Sequence, residues 1–197
     1  MLLFHCQRER KIGIWWLDKE RKKMQEITVT TWPIPKSEIL TVLKTNNIWI
    51  NEYAKAYMNH SRFQTKGVRS HIRVVLCSLQ ELGLENGAVY ADIFSRAIEM
   101  GLYPCRPSTG LFLRLSYLNQ AQSKDSVLSG THHSPDSSVT VLSDFLEKDD
   151  NFPRGLYLRN VDGILWLRGY ICDETYSWSL EDVFALEKGI QHIITDC

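Results

Sequence analysis

Two arginines and two aromatic residues around an Asp-Gly turn are the side chains in this sequence best placed to bind a ligand. Residues 156 to 168 read Leu-Tyr-Leu-Arg-Asn-Val-Asp-Gly-Ile-Leu-Trp-Leu-Arg, so two alternating runs flank Asp162 and Gly163. An Asp-Gly pair between such runs predicts a β-hairpin with a type I′ turn. The turn fixes the pairing, which places Arg159 opposite Trp166.

The predicted hairpin has two faces of different character. One face carries four leucines, Leu156, Leu158, Leu165 and Leu167, and is expected in the core. The other face is the candidate ligand or partner face, joined by an arginine from a predicted strand at residues 111 to 117; its members are Tyr157, Arg159, Trp166, Arg168 and Arg114. Guanidinium groups beside aromatic rings can bind an anionic or planar ligand; alternatively they pair with these rings through cation-π contacts, or another segment of the chain covers the face.

Basic residues point to a second kind of binding. Residues 1 to 73 contain 14 Lys and Arg against 6 Asp and Glu, whereas residues 74 to 197 contain 9 against 17. Two short predicted helices in the basic half weakly resemble a helix-turn-helix, and their candidate phosphate contacts are Lys36, Lys44, Lys55, Arg62, Lys66 and Arg69. Such a surface would bind nucleic acid mainly through its phosphates. Opposite charges on the two halves can equally attract each other.

No familiar catalytic or metal-binding motif occurs in the sequence. Two groups come closest, the pair His132-His133 and the acidic run Asp144, Glu147, Asp149 and Asp150. Adjacent histidines point apart on a strand and rarely chelate one ion, and a run so dense in charge usually faces water. The phosphate-binding patterns G-x-x-x-x-G-K-[ST] and G-x-G-x-x-G are also absent. We therefore expect no catalytic residue, no metal ligand and no cofactor, and an enzyme is the least favoured class.

Periodicity places these residues on an α+β scaffold. Strands are predicted at residues 27 to 32, 71 to 77, 111 to 117 and 139 to 142, and helices at residues 36 to 46, 50 to 59 and 90 to 100. The serine-rich residues 120 to 138 are predicted as a mobile surface loop, and residues 183 to 186 as a last strand or a short helix. The predicted core is an antiparallel sheet packed on one main helix, residues 90 to 100, preceded by a small basic helical segment.

The chain divides into three predicted parts, which are residues 1 to 23, a basic helical segment at residues 24 to 66, and an α+β core domain at residues 67 to 197. The run Lys-Glu-Arg-Lys-Lys directly before Met24 consists of residue types with purine-only codons, as a translated ribosome-binding site would. Residues 1 to 23 are therefore either a translated leader or an extra N-terminal strand around residues 12 to 17.

Composition indicates a cytoplasmic protein. The 197 residues are 44% hydrophobic and 23% charged, which is enough for one core. No apolar run approaches the roughly 18 residues of a membrane-spanning helix, and the N terminus lacks the basic region of a secretory signal. The five cysteines are scattered without a C-x-x-C pair, which favours reduced and mostly buried thiols.

Several short pieces of the sequence together match a known pattern. They are Ile50-Asn51-Glu52-Tyr53-Ala54-Lys55, Glu81-Leu82-Gly83 with Gly87-Ala88, Gly101-Leu102-Tyr103-Pro104-Cys105, Leu113-Arg114-Leu115-Ser116-Tyr117 and Asp162-Gly163-Ile164-Leu165-Trp166-Leu167. From Leu79 to Leu186 the chain resembles an uncharacterised bacterial family, some of whose members carry a helicase label. The missing phosphate-binding loop argues against that label here. We expect a non-enzymatic binding or interaction protein with an unknown protein partner; the alternative is a nucleic-acid-binding protein that uses the basic segment.

Overall fold

The chain forms a mixed sheet that carries helices on both faces. The computed structural model describes residues 24–65, 67–124 and 134–189. In that part of the chain the elements are, in order, β1 (Gln25–Thr31), α1 (Lys36–Thr45), β2 (Ile48–Ile50), α2 (Glu52–Asn59), β3 (Ser70–Ser78), α3 (Tyr90–Glu99), β4 (Leu102–Tyr103), α4 (Thr109–Ser116), β5 (Val139–Val141), β6 (Gly155–Val161), β7 (Ile164–Tyr170) and β8 (Val183–Lys188). The strand order is β1-β3-β8-β5-β6-β7-β2, and β4 pairs with β8 outside this path.

The sheet is mixed, which corrects the prediction of a purely antiparallel sheet. Strand β2 runs parallel to β7, and β5 runs parallel to β8, whereas the other pairs are antiparallel. Both parallel pairs join segments far apart in sequence. A strand's residue pattern shows which of its faces is buried and says nothing about the direction of a distant partner.

The predicted hairpin is confirmed as β6 and β7. Arg159 lies opposite Trp166, and Val161 lies opposite Ile164, as the turn chemistry requires. Asp162 and Gly163 have φ angles of 51° and 78°, and a type I′ turn needs a positive φ at both central residues. Residues 183 to 186, for which the sequence predicted either a strand or a short helix, belong to strand β8.

The predicted strand at residues 111 to 117 is wrong, because this segment is helix α4. Leu111, Phe112, Leu113 and Arg114 are all buried, so the helix is covered on every side. A short apolar run of this kind has no polar face to reveal a helical period, and alternation can mimic a strand. Gly110 allows a close approach to β6, since a Cβ there would lie 3.1 Å from the Leu156 side chain.

Helices cover both faces of the sheet. On one face, residues of α1, α2 and α4 pack with alternate residues of the strands, including Val74 and Ala185. On the opposite face, Tyr90, Ile93 and Ala97 of α3 pack with the residues between, including Val75. The spacing of these three residues and the positive φ of Gly101, 72°, explain why α3 forms and where it ends.

Asn51 joins the start of α2 to β7. Its side chain caps the helix by accepting a hydrogen bond from Ala54 N at 3.0 Å. The same side chain accepts from Gly169 N at 2.8 Å and donates to Gly169 O at 2.9 Å. Gly169 has no Cβ to keep the helix away, and a Cβ there would lie 2.5 Å from the Tyr53 carbonyl carbon. Strand β2 precedes residue 66 and its partner β7 follows it, so strands on both sides of residue 66 belong to one sheet.

The first described residues of the serine-rich segment pack against the sheet. Gln120 and Ser123 are buried, and Ser123 N donates to Asn160 O at 2.8 Å beside β6. Residues 125 to 133, with the His132-His133 pair, lie outside the described residues, as do residues 1 to 23 and Lys66. Where the structure is described, none of the helices combines the length and the apolar character needed to cross a bilayer.

Candidate functional site

Three members of the predicted ligand or partner face lie together. Arg168 Nε donates to Tyr157 Oη at 2.8 Å, and Arg168 Cζ lies 5.0 Å from the centre of the Trp166 ring. The edge strand β2 adds Trp49, whose ring centre is 5.4 Å from that of Trp166. Trp49 is 56% exposed and Tyr53, beside it on α2, is 48% exposed. Trp49 and Tyr53, with the half-buried Trp166 and Arg168, form an exposed aromatic edge that carries one arginine, whereas Tyr157 is buried.

The other two predicted members, Arg159 and Arg114, do not reach the surface, since both are 0% exposed. Arg159 Nε donates to Ser123 Oγ at 2.9 Å. Arg114 donates to the Gln120 side chain and to the Tyr117 carbonyl. Burial lowers the pKa of Arg114 to about 10, so the group remains charged at neutral pH. Arg159 thereby joins β6 to the serine-rich segment, whereas the partners of Arg114 follow it closely in the chain.

Three of the five predicted phosphate contacts that the structure describes are engaged within the molecule. Lys36 donates to the carbonyls of Asn59 and His60. Lys55 lies 3.6 Å from Glu52, and Arg62 donates to Leu146 O at 3.0 Å.

The remaining basic residues are more open. Arg69 Cζ lies 5.8 Å from the Trp32 ring centre. Lys44 is exposed on the last turn of α1. The acidic run is exposed as well, with Glu147 2.6 Å from His60.

The structure reveals a cleft that the sequence did not indicate. It has a volume of about 500 Å³ and is lined by α3, by the segment after β5, by the residue before β6 and by the segment after β7. Its lining residues are Tyr90, Ala91, Phe94, Ser95, Asp144, Phe145, Arg154 and Glu174. This volume lies within the range of about 300 to 1,000 Å³ that is typical of small-molecule sites.

Arg154 is the buried charge of this cleft. Its side chain is 8% exposed, and its Nε is buried with no hydrogen-bond partner. The guanidinium carbon lies 3.0 Å from the Phe145 ring centre and 5.1 Å from the Tyr90 ring centre. Asp144 and Glu174 line the same cleft, yet neither forms an ion pair with Arg154. Asp173 interacts electrostatically with Arg154, but only beyond ion-pair distance. A buried guanidinium is normally paired with a carboxylate or with several acceptors.

A buried hydrogen-bond chain fixes one wall of the cleft. Tyr90 Oη donates to Ser143 O and accepts from Ser143 N at 3.0 Å. Ser143 Oγ and Tyr57 Oη are 3.1 Å apart and share a further hydrogen bond. Because Ser143 directly precedes Asp144 and Phe145, these contacts hold both lining residues against α3. The cleft wall is therefore set by side chains that are themselves immobilised.

Burial raises the pKa values of the hydroxyl and thiol groups in and near the cleft. Burial raises the pKa of Cys172 to about 11 and that of Tyr57 to about 12, and it raises the pKa of Tyr90 still further. All three are neutral near pH 7, so none is an activated nucleophile or base. In the described ranges, no group of three or more His, Cys, Asp or Glu side chains could hold a metal ion.

No protein-family model, curated protein or solved structure matches this chain. The residues of the cleft themselves carry little sequence signal. Arg154 stands alone between Pro153 and Gly155, and the lining residues come from four separate segments. The pairing of β5, β6, β7 and β8, together with the packing of α3 on the sheet, brings these segments together. Chemically, Arg154 can bind a carboxylate or phosphate while the aromatic walls contact an apolar body.

Proposed function

We propose that this protein is a non-enzymatic binding protein that takes up a small organic anion at Arg154. The observation that supports the proposal is the guanidinium of Arg154, which is 8% exposed, has a buried Nε without a hydrogen-bond partner and forms no ion pair with a described carboxylate. A buried cation without a counter-ion destabilises the folded chain. An anion in the cleft would supply the missing partner, and Phe94 and Phe145 would contact its apolar part.

Replacing Arg154 with methionine tests this proposal. Methionine keeps an unbranched apolar stem against Phe145 and removes the charge and its donors. We expect Arg154→Met to unfold at the same urea concentration as the wild type or a higher one, since removal of an unpaired buried charge is neutral or stabilising. Binding of 4-ethylbenzoate, measured by calorimetry, should weaken at least about tenfold, because hydrogen bonds to charged groups contribute about 1.5 to 3 kcal/mol.

Arg106→Met is the matched control, because Arg106 is exposed and lies outside the cleft. It should bind 4-ethylbenzoate as the wild type does. If Arg154→Met bound the anion unchanged, or if the substitution cost several kcal/mol of stability, Arg154 would be a structural residue and the proposal would be lost.

A macromolecular partner is a second candidate, supported by the exposed aromatic edge. Trp49 is 56% exposed beside Trp166 and Arg168. An exposed tryptophan at a sheet edge suits a protein partner, and rings with an arginine can also stack on the bases of single-stranded nucleic acid. Gel shifts with a single-stranded oligonucleotide at low and high salt separate these two partners, because phosphate-dominated binding weakens steeply with salt.

A further inference from the structure

The mouth of the cleft carries charges opposite to the charge in its interior. Asp144 and Glu174 line the cleft and are exposed, whereas Arg154 is 8% exposed. Neither carboxylate is joined by an ion pair or a side-chain hydrogen bond to any described residue. The cleft thus presents one buried cation and two outer anions, with the rings of Phe94 and Phe145 among the lining groups.

This arrangement disfavours a ligand that is only an anion. Such a ligand could pair with Arg154, but on entry and when bound it would be repelled by the two outer carboxylates. A ligand that is only a cation would leave the buried guanidinium unpaired and add a like charge to the same cleft. Complementarity to all three groups requires both signs of charge in one molecule.

The depths of the charged groups further restrict the ligand. The anion must reach the buried Arg154, while the cation must stay near Asp144 and Glu174 at the mouth. In an α-amino acid the ammonium and carboxylate groups are both bonded to one carbon atom, which suits one depth and not two. A ligand with its charges at opposite ends and an apolar spacer between them places its ring or chain against Phe94 and Phe145.

We infer that the ligand of this cleft is an amino-carboxylate whose anionic group binds Arg154 and whose ammonium group, at the far end of an apolar spacer, lies between Asp144 and Glu174. This inference rests on the proposed function and adds the second charge and its position. The two outer carboxylates then select for the ammonium group, and Arg154 selects for the anion.

A pair of isosteric probes tests the inference. In 4-(aminomethyl)benzoate an ammonium group replaces the terminal methyl of 4-ethylbenzoate, and the carboxylate and ring are unchanged. For the wild type we expect 4-(aminomethyl)benzoate to bind roughly threefold to tenfold more tightly than 4-ethylbenzoate. The range is modest because ion pairs with exposed carboxylates contribute little binding free energy. In a variant with Asp144→Asn and Glu174→Gln this preference should disappear, while 4-ethylbenzoate binds as well or better. Glu38→Gln, an exposed change on α1, should keep the preference.

The outcomes separate this inference from the proposed function. If both probes bound equally to the wild type, with both affinities lost in Arg154→Met, the amino-carboxylate would be wrong and anion binding at Arg154 would stand. A preference that survived in the Asp144→Asn, Glu174→Gln variant would overturn the inference in the same way. If phenylalanine bound more tightly than 4-(aminomethyl)benzoate, the assignment of the two charges to different depths would be wrong. No binding of either probe would count against both proposals.

Discussion

Gln120 shows how much the buried arginines depend on single polar partners. Its side chain accepts a hydrogen bond from Arg114 and donates to Ser137 O at 2.9 Å and to Leu158 O at 3.2 Å. Its backbone carbonyl accepts from Asn160 Nδ2 at 2.8 Å. One glutamine therefore links helix α4, the serine-rich segment and strand β6.

We predict that Gln120→Ala costs about 1 to 3 kcal/mol of stability, because it leaves the guanidinium of Arg114 and two backbone carbonyls short of partners. Urea unfolding followed by tryptophan fluorescence measures the loss. Gln122→Ala is the control, since Gln122 is exposed and should tolerate the change. Equal midpoints for the two variants would contradict the role given to Gln120.

Single residues were the hardest feature to predict from the sequence. Arginine is normally a surface residue, so Arg114 and Arg159 were assigned to an exposed face, and Arg154 was not singled out at all. Their burial depends on partners that approach only in the folded chain, such as Ser123 for Arg159. The sequence carries no local sign of such partners, whereas Tyr157 and Arg168 were placed beside each other because a tight turn relates them.

At the scale of elements, substitutions at two glycines test two different effects. Gly163→Ala tests backbone strain, and Gly169→Ala tests steric contact with α2. Gly163 has a φ of 78° and open space around its Cα. The only cost of Gly163→Ala is therefore the strain of an alanine in the left-handed backbone conformation. Gly169 has the start of α2 against it, with Ala54 N 2.6 Å from the position of a Cβ. Helix backbone cannot rotate away as a side chain can.

We therefore predict that Gly163→Ala costs about 1 kcal/mol and Gly169→Ala about 3 kcal/mol. Gly169→Ala should also move Trp49 away from Trp166, because α2 and β2 are consecutive, and this would change the tryptophan emission of the folded protein. Chemical unfolding and emission spectra of both variants provide the test. A larger loss in Gly163→Ala would mean that α2 does not press on β7.

Elements built from local signals were predicted well. The hairpin turn, the periodic helix α3 and the strand β3 all follow from neighbouring residues. The parallel pairs could not be predicted, since nothing in Ile48–Ile50 indicates β7 as its partner. Helix α4 was misread because its burial on all sides removed the polar face by which a helix is recognised.

For the molecule as a whole, the buried tyrosines and cysteines predict instability in alkali. Burial raises the pKa of Cys77 to about 12 and of Tyr57 to about 12, and it raises that of Tyr170 well above its usual value. The unfolded chain loses these protons near pH 9.0 for cysteine and 10.0 for tyrosine. The folded chain keeps its protons there, so stability is fully present below these values and falls as the pH rises towards the folded pKa values.

Urea midpoints measured from about pH 8 to about pH 10.5 should therefore decrease steadily, with the steepest fall above the pKa of free tyrosine. Tyr57→Phe removes one of these groups, so its midpoint should decline less over the same range despite a lower starting value. Tyr103→Phe, at a 48% exposed position, should follow the wild type. A midpoint independent of pH would show that the unfolded and folded chains ionise alike.

The pairing of β2 with β7 also delays part of folding until late in synthesis of the chain. Asn51 caps α2 early in the chain, yet its partner Gly169 lies 118 residues further on. At translation rates of about 5 to 20 residues per second, the ribosome adds that partner about 6 to 24 s later. During this interval the buried residues of α2 lack β7, the strand against which this helix packs. The nascent chain would then need a chaperone, or slow collapse near the ribosome, to keep this surface from binding other chains.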